Sequence, residues 1–345
     1  MMRDDGGRLG DDGTPGLPGE NGPVHDDGAP VPDDGAPMPD DDAPPPLDPG
    51  LAAPHHLLVL PADVTAEEVE ALAVSRSEAA GWVGPGELQL VPGATLTGPW
   101  RLDDGARAGL GLPDWSAQAY LLTAPTERSG ALPLELHGVD PLLDAFPEGV
   151  PTGTEAETLG HLRALARRLH GGVLLAGTGT VLVPDPASAV DLTLHSPVWL
   201  EHDACLGVLA QVLPQVRSVL DDVPAAVAEV QELEGYALVA DLGGGDLLAV
   251  EVAGEDEPPV VLRGTEWAQG GVVTYEVRWR PRLPEQARAA APAPAVRRAR
   301  ARAGELIERA TAALHAAAGG AVTDDDGFLV DPGDLAADPP VDLTR

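Results

Sequence analysis

The clearest pattern in the chain is a period of two over 272–280, where Val273, Tyr275, Val277 and Trp279 alternate with Thr274, Glu276, Arg278 and Arg280. That alternation predicts a strand with one face buried and one face wet. Leu57-Leu58-Val59-Leu60 is an apolar run and predicts a buried strand. Further strands are predicted at 87–91, 117–123, 173–175, 181–183, 190–194 and 328–330, with a hairpin over 236–241 and 247–252 turned by Gly243-Gly244-Gly245. A period near 3.6 marks the helices. Thr65 and Glu68 have capping-box spacing, flanked by Val64 and Val69 as a hydrophobic staple, which predicts a helix from 65 or 66 to 78. Thr154 and Glu157 repeat the capping-box spacing before 155–170, where Leu159, Leu162, Ala166 and Leu169 share a face. Ala204, Cys205, Val208, Leu209, Val212 and Leu213 form the stripe of a helix over 202–213, and a last helix is predicted over 296–317.

Two stretches of this pattern match each other. Residues 157–184 align without a gap on 305–332, with identities at Glu157/Glu305, Ala164/Ala312, Gly171/Gly319, Gly172/Gly320, Gly179/Gly327 and Pro184/Pro332. Both read helix, Gly-Gly, strand, Gly turn, strand, Pro, and each is preceded by a similar series of elements. The expected fold is therefore α+β: two tandem βαββαβ, ferredoxin-like units from an internal duplication, at 55–190 and 191–330.

Charge changes the picture at the ends. The net charge is −35, of which residues 1–54 carry −11 and residues 319–345 carry −6. The Asp-Asp-Gly-Ala-Pro repeats at 26–30 and 33–37 cannot bury enough apolar surface to offset chain entropy, so 1–54 is expected to be a disordered acidic tail and 331–345 a shorter one. The remaining acidity disfavours nucleic acid and anionic lipid as partners. All basic residues are Arg, and Ala, Gly, Pro, Leu and Val dominate, so composition bias accounts for much of the Ala and Pro. Cys205 is the sole cysteine, which excludes an internal disulfide and a cysteine zinc finger. No stretch approaches the roughly 18 apolar residues of a membrane span. A bacterial cytoplasmic location is the expectation.

The chemistry-bearing motifs have structural explanations. Asp241-Leu242-Gly243-Gly244-Gly245-Asp246 resembles the phosphate loop of actin-like and Hsp70-type ATPases, but those families carry Thr where this chain has Asp246, and an acid there would repel phosphate. The segment is read as a hairpin turn. Gly177-Thr178-Gly179-Thr180 lies between strands and opens no helix, so no anion site follows. His195, His202, Asp203 and Cys205 are the best metal-like cluster, yet Cys205 lies on an apolar stripe and reads as a buried thiol. No catalytic, cofactor-binding or metal-ligating residue is assigned. Arg297, Arg298, Arg300 and Arg302 form the basic concentration most suited to an acidic protein partner, the chain's own acidic tail included. The reading is a non-catalytic binding or scaffolding module. Two rivals are an enzyme with its site in the cleft between the units, and a regulatory protein whose acidic tail mimics a polyanion.

Overall fold

The computed structural model describes residues 44–219, 235–283 and 292–335. The first half runs α1 (Pro49–Ala52), β1 (His56–Leu60), α2 (Ala66–Arg76), β2 (Gly81–Gly84), β3 (Glu87–Val91), β4 (Ala94–Arg101), α3 (Asp104–Leu110), β5 (Gln118–Thr123), α4 (Pro141–Asp144), α5 (Gly153–Arg168), β6 (Gly172–Leu175) and β7 (Thr180–Leu182). The second runs β8 (Leu192–Ser196), α6 (His202–Leu209), β9 (Arg217–Ser218), β10 (Gly235–Gly243), β11 (Asp246–Glu255), β12 (Val272–Arg280), α7 (Pro294–Ala318), β13 (Ala321–Asp324) and β14 (Leu329–Val330).

Each half builds one sheet of seven antiparallel strands. The first has the order β2-β3-β4-β5-β1-β6-β7 and the second, read from its other end, β9-β10-β11-β12-β8-β13-β14. With β8 in the place of β1 the two orders are the same. The registers agree too: Leu58 faces Tyr120 in one sheet and Leu194 faces Tyr275 in the other, and both tyrosines are fully buried. The expected four-stranded βαββαβ unit is corrected to seven strands. The added strands of the first half, β2 and β4, carry Gly and Pro that a local pattern assigns to loops, and only pairing with β3 and β5 makes them strands.

The ungapped alignment also needs adjustment at the ends of α5 and α7. Val59 pairs with Gly172 and His195 with Ala321, which shifts the match by one residue at β6 and β13. Accordingly the left-handed residues are His170 and Gly319, rather than Gly171 and Gly319. Gly171 and Gly320 press on the neighbouring strands β1 and β8: a Cβ would lie 2.5 Å from the Val59 carbonyl oxygen and 2.0 Å from that of His195, respectively.

Packing explains which strands are apolar throughout. On one face of the first sheet Leu58, Leu60, Leu90 and Tyr120 meet Val69 of α2 and Leu159 and Leu162 of α5. On the other, Leu57, Val59 and Leu121 meet Ala52 of α1 and Ala106 of α3. Covered on both faces, every residue of β1 is buried. The ordered fold therefore reaches upstream of His55, since Leu47 and Ala52 are core residues, and it extends past 330 to the buried Leu335. The proposed tails shrink accordingly; 1–43 and 336–345 lie outside the described residues. In the second sheet Tyr275, Val277 and Trp279 face Ile307, Ala310 and Leu314 of α7. From Tyr275 on, its opposite face carries the Arg278–Glu276 and Arg280–Glu251 ion pairs, as the alternation of β12 predicts, whereas Val273 is half-buried and Thr274 is buried, its hydroxyl donating to the Ala253 carbonyl.

The halves meet through side chains that short-range patterns do not reveal. Phe328, from the β13–β14 turn, is buried in the core of the first half. Arg76 of α2 donates to the Asp326 carbonyl, Arg167 of α5 pairs with Asp326 at 3.3 Å, and Arg300 of α7 pairs with Asp185 at 3.4 Å. The described residues fall in one compact unit. Among the described residues no helix is long and apolar enough to cross a membrane.

Candidate functional site

A cavity of about 640 Å³ lies where β7, α5 and the β13–β14 turn converge. Its floor is the sheet-edge stretch Thr180 to Val183, its walls carry Arg163, Arg167, Asp140 and Asp185, and Asp325 enters from the second half. Arg163 and Arg167 stand four residues apart, hence on one flank of α5. Asp140 is the N-cap of α4, its carboxylate accepting from the Leu142 N–H at 2.9 Å, and its other oxygen accepts from Arg163 at 3.0 Å. Asp185 caps the turn after β7 through the Ala187 N–H. Most wall charges are thus paired, Arg163 with Asp140, Arg167 with Asp326 and Asp185 with Arg300.

Asp325 differs. It makes no hydrogen bond or ion pair among the described residues, whereas its neighbours Asp324 and Asp326 pair with Arg168 and Arg167. The Asp325 side chain is exposed to solvent where it borders the cleft. Although the side chain is exposed, the protein packed around it desolvates the carboxylate and pushes its pKa up to about 7, with Asp191 adding to the rise and Arg167 opposing it. A titratable carboxyl in a cleft is a feature functional sites share.

A second polar cluster borders a cavity of about 370 Å³ and ties its surroundings together. Glu155, 2% exposed, accepts from Arg128 through both guanidinium nitrogens that reach it, from the Glu127 N–H at 2.9 Å and from His56 Nε2 at 3.2 Å. His56 Nδ1 accepts from the Ala176 N–H at 3.0 Å, so Nε2 carries the proton and the ring is neutral. Burial lowers its pKa, against the raising effect of Glu155. Arg128 stacks on the Phe146 ring at 3.9 Å. Every donor and acceptor here serves to hold the 125–152 excursion, α5 and the β6–β7 turn together.

The residues singled out from sequence are dispersed. Arg297, Arg298 and Arg302 are exposed on α7, but Arg300 is 2% exposed and points inward to Asp185, because α7 turns that position toward the first half. His202 bonds Asp203 and Ser218 at 2.9 Å each, His195 lies in the sheet bonded to Thr323 at 3.0 Å, and Cys205 is buried with its pKa raised by burial. These four do not converge, and among the described residues no group of His, Cys, Asp and Glu is placed to hold a metal. Gly243, Gly244 and Gly245 all have positive φ and make the β10–β11 turn. Asp241 caps it through the Gly243 N–H at 2.7 Å, and Asp246 accepts from the Arg282 N–H beyond β12 at 2.9 Å. The expected second capping box does not form: α5 begins at Gly153, and the Thr154 N–H is satisfied by Glu127 at 2.8 Å. Sequence reading missed Arg163, Arg167, Asp185 and Asp325; the i,i+4 arginines and the Asp324-Asp325-Asp326 run were visible, but not their meeting. No known protein family, curated protein or solved structure matches the chain.

Proposed function

We propose that the protein is a binding or scaffolding module made of two copies of one α+β unit, and that its ligand occupies the cleft between them. The observation that carries this reading is the composition of the cleft: side chains from the first half and Asp325 from the second border one cavity of about 640 Å³, a volume in the range of ligand sites. The shared strand order and the Leu58–Tyr120 and Leu194–Tyr275 registers support internal duplication, with unit boundaries near 190. Duplication places a cleft at the junction, and the paired arginines and aspartates keep its walls fixed. A protein partner in a reducing cytoplasm suits the acidic chain with one buried thiol. Arg297, Arg298 and Arg302 remain a second surface suited to an acidic partner.

The rival reading, an enzyme, rests on Asp325, whose pKa near 7 suits proton transfer. Thermal-shift measurements on the full chain with a collection of metabolites and peptides test both. Compounds that stabilise the wild type and not an Arg163→Ala, Asp325→Asn variant are expected; stabilisation equal in both proteins, or none, rejects the cleft. Conversion of a stabilising compound during the assay would favour the enzyme.

A further inference from the structure

We infer that the cleft receives an extended segment of a partner polypeptide, which adds as an eighth strand beside β7 and sets a basic side chain against Asp325. The inference rests on the cleft being the binding site. β7 ends its sheet and pairs with β6 alone. The Leu182 carbonyl is directed at β6, within 3.0 Å of where a Cβ on Gly172 would stand. Because backbone groups alternate along an antiparallel strand, Val181 turns its N–H and C=O outward, into the cleft. Val183 follows on the same side, and among the described residues neither bonds to a backbone group of another segment beyond β6. Such an edge is a template for a further strand. Pro184 ends the template, so the added strand is short.

The walls specify what lies on that strand. Leu182 packs toward the α5 side of the sheet and Val181 toward the α3 side, so a neighbouring strand would present alternate residues to the two sides. On the α5 side the charges are Arg163, held by Asp140, Arg167, held by Asp326, and the uncommitted Asp325. The available partner there is a lysine or arginine, and the net charge of −35 draws basic segments. On the other side Val181 and the exposed Val183 call for an apolar residue.

Selection of a random dodecapeptide display library on the immobilised full chain tests this. Enriched peptides should share a short proline-free stretch in which apolar residues alternate with Lys or Arg. A synthetic copy should slow amide exchange at Val181 and Val183, and Asp325→Asn, at the cleft wall, should weaken it about fivefold. Replacing the central residue of the copy by proline should abolish binding. Absence of enrichment, protection of other amides, or equal binding to Asp325→Asn would overturn the strand inference. If peptides fail while a small molecule stabilises the wild type and not the Arg163→Ala, Asp325→Asn variant, the cleft reading stands without the strand. If neither class binds, both fall.

Discussion

Tyr120 and Tyr275 occupy matched positions in the two sheets, yet their hydroxyls live differently. Tyr275 donates to the Val198 carbonyl and accepts from the Leu200 N–H, each at 2.8 Å, fixing the β8–α6 loop. The Tyr120 hydroxyl is buried with no partner, and burial pushes its pKa up to about 12. Tyr275→Phe should therefore cost about 1–2 kcal/mol in denaturant unfolding, while Tyr120→Phe should be neutral or stabilising, because only the first strands polar groups. Glu155→Ala should cost about 3 kcal/mol or more, since it leaves Arg128 and His56 without their buried acceptor. Asp325 makes a pH prediction. Its folded pKa of about 7 lies above the unfolded carboxylate value, so ionisation opposes folding: the penalty is absent in acid, grows as pH rises toward 7 and is constant above. Asp191, Asp326, Arg167 and Arg278 are the charges facing it. Asp325→Asn should gain stability over the wild type from pH 4 to 7 and hold the gain above; a pH-independent difference in melting temperature would refute the shift.

At the scale of elements, local signals succeeded where the backbone needs were local. The Thr65 hydroxyl accepts from the Glu68 N–H and Glu68 accepts from the Thr65 N–H, at 3.2 and 2.8 Å, so the first capping box forms as the spacing predicts. Thr65→Ala should cost about 1 kcal/mol. The Thr154 box had the same spacing but lost to a tertiary competitor, Glu127. Adjacent glycines after α7 separate two physical demands. Gly319 has φ of 67° with open space around its missing Cβ, whereas Gly320 has φ of 108° and sits against the His195 carbonyl. Gly319→Ala should cost about 1 kcal/mol and Gly320→Ala about 3 kcal/mol or more, read from unfolding midpoints. Equal costs would mean that conformation alone explains both.

Across the whole molecule, a chain starting at His55 should melt several degrees below one starting at Pro44, because the shorter one lacks the buried Leu47 and Ala52 that cover β1. The sequence by itself determined the α+β class, the amphipathic stripes of α5 and α7, the alternation of β12 from Tyr275 on and the likeness of the two Gly-Gly segments, because each depends on side-chain period or on one residue's backbone freedom; the helix expected over 202–213 stops at Leu209, with Ala204 of its stripe exposed. It did not determine seven strands per sheet, since β2 and β4 carry Gly and Pro that read as loop until they pair with β3 and β5, and β9 is too short to show a period. Nor did it determine that Arg300 points inward, that Phe328 belongs to the other half's core, or that Asp325 meets the β7 edge. Those are contacts between residues far apart in the chain, and only the tertiary structure decides which charges face each other.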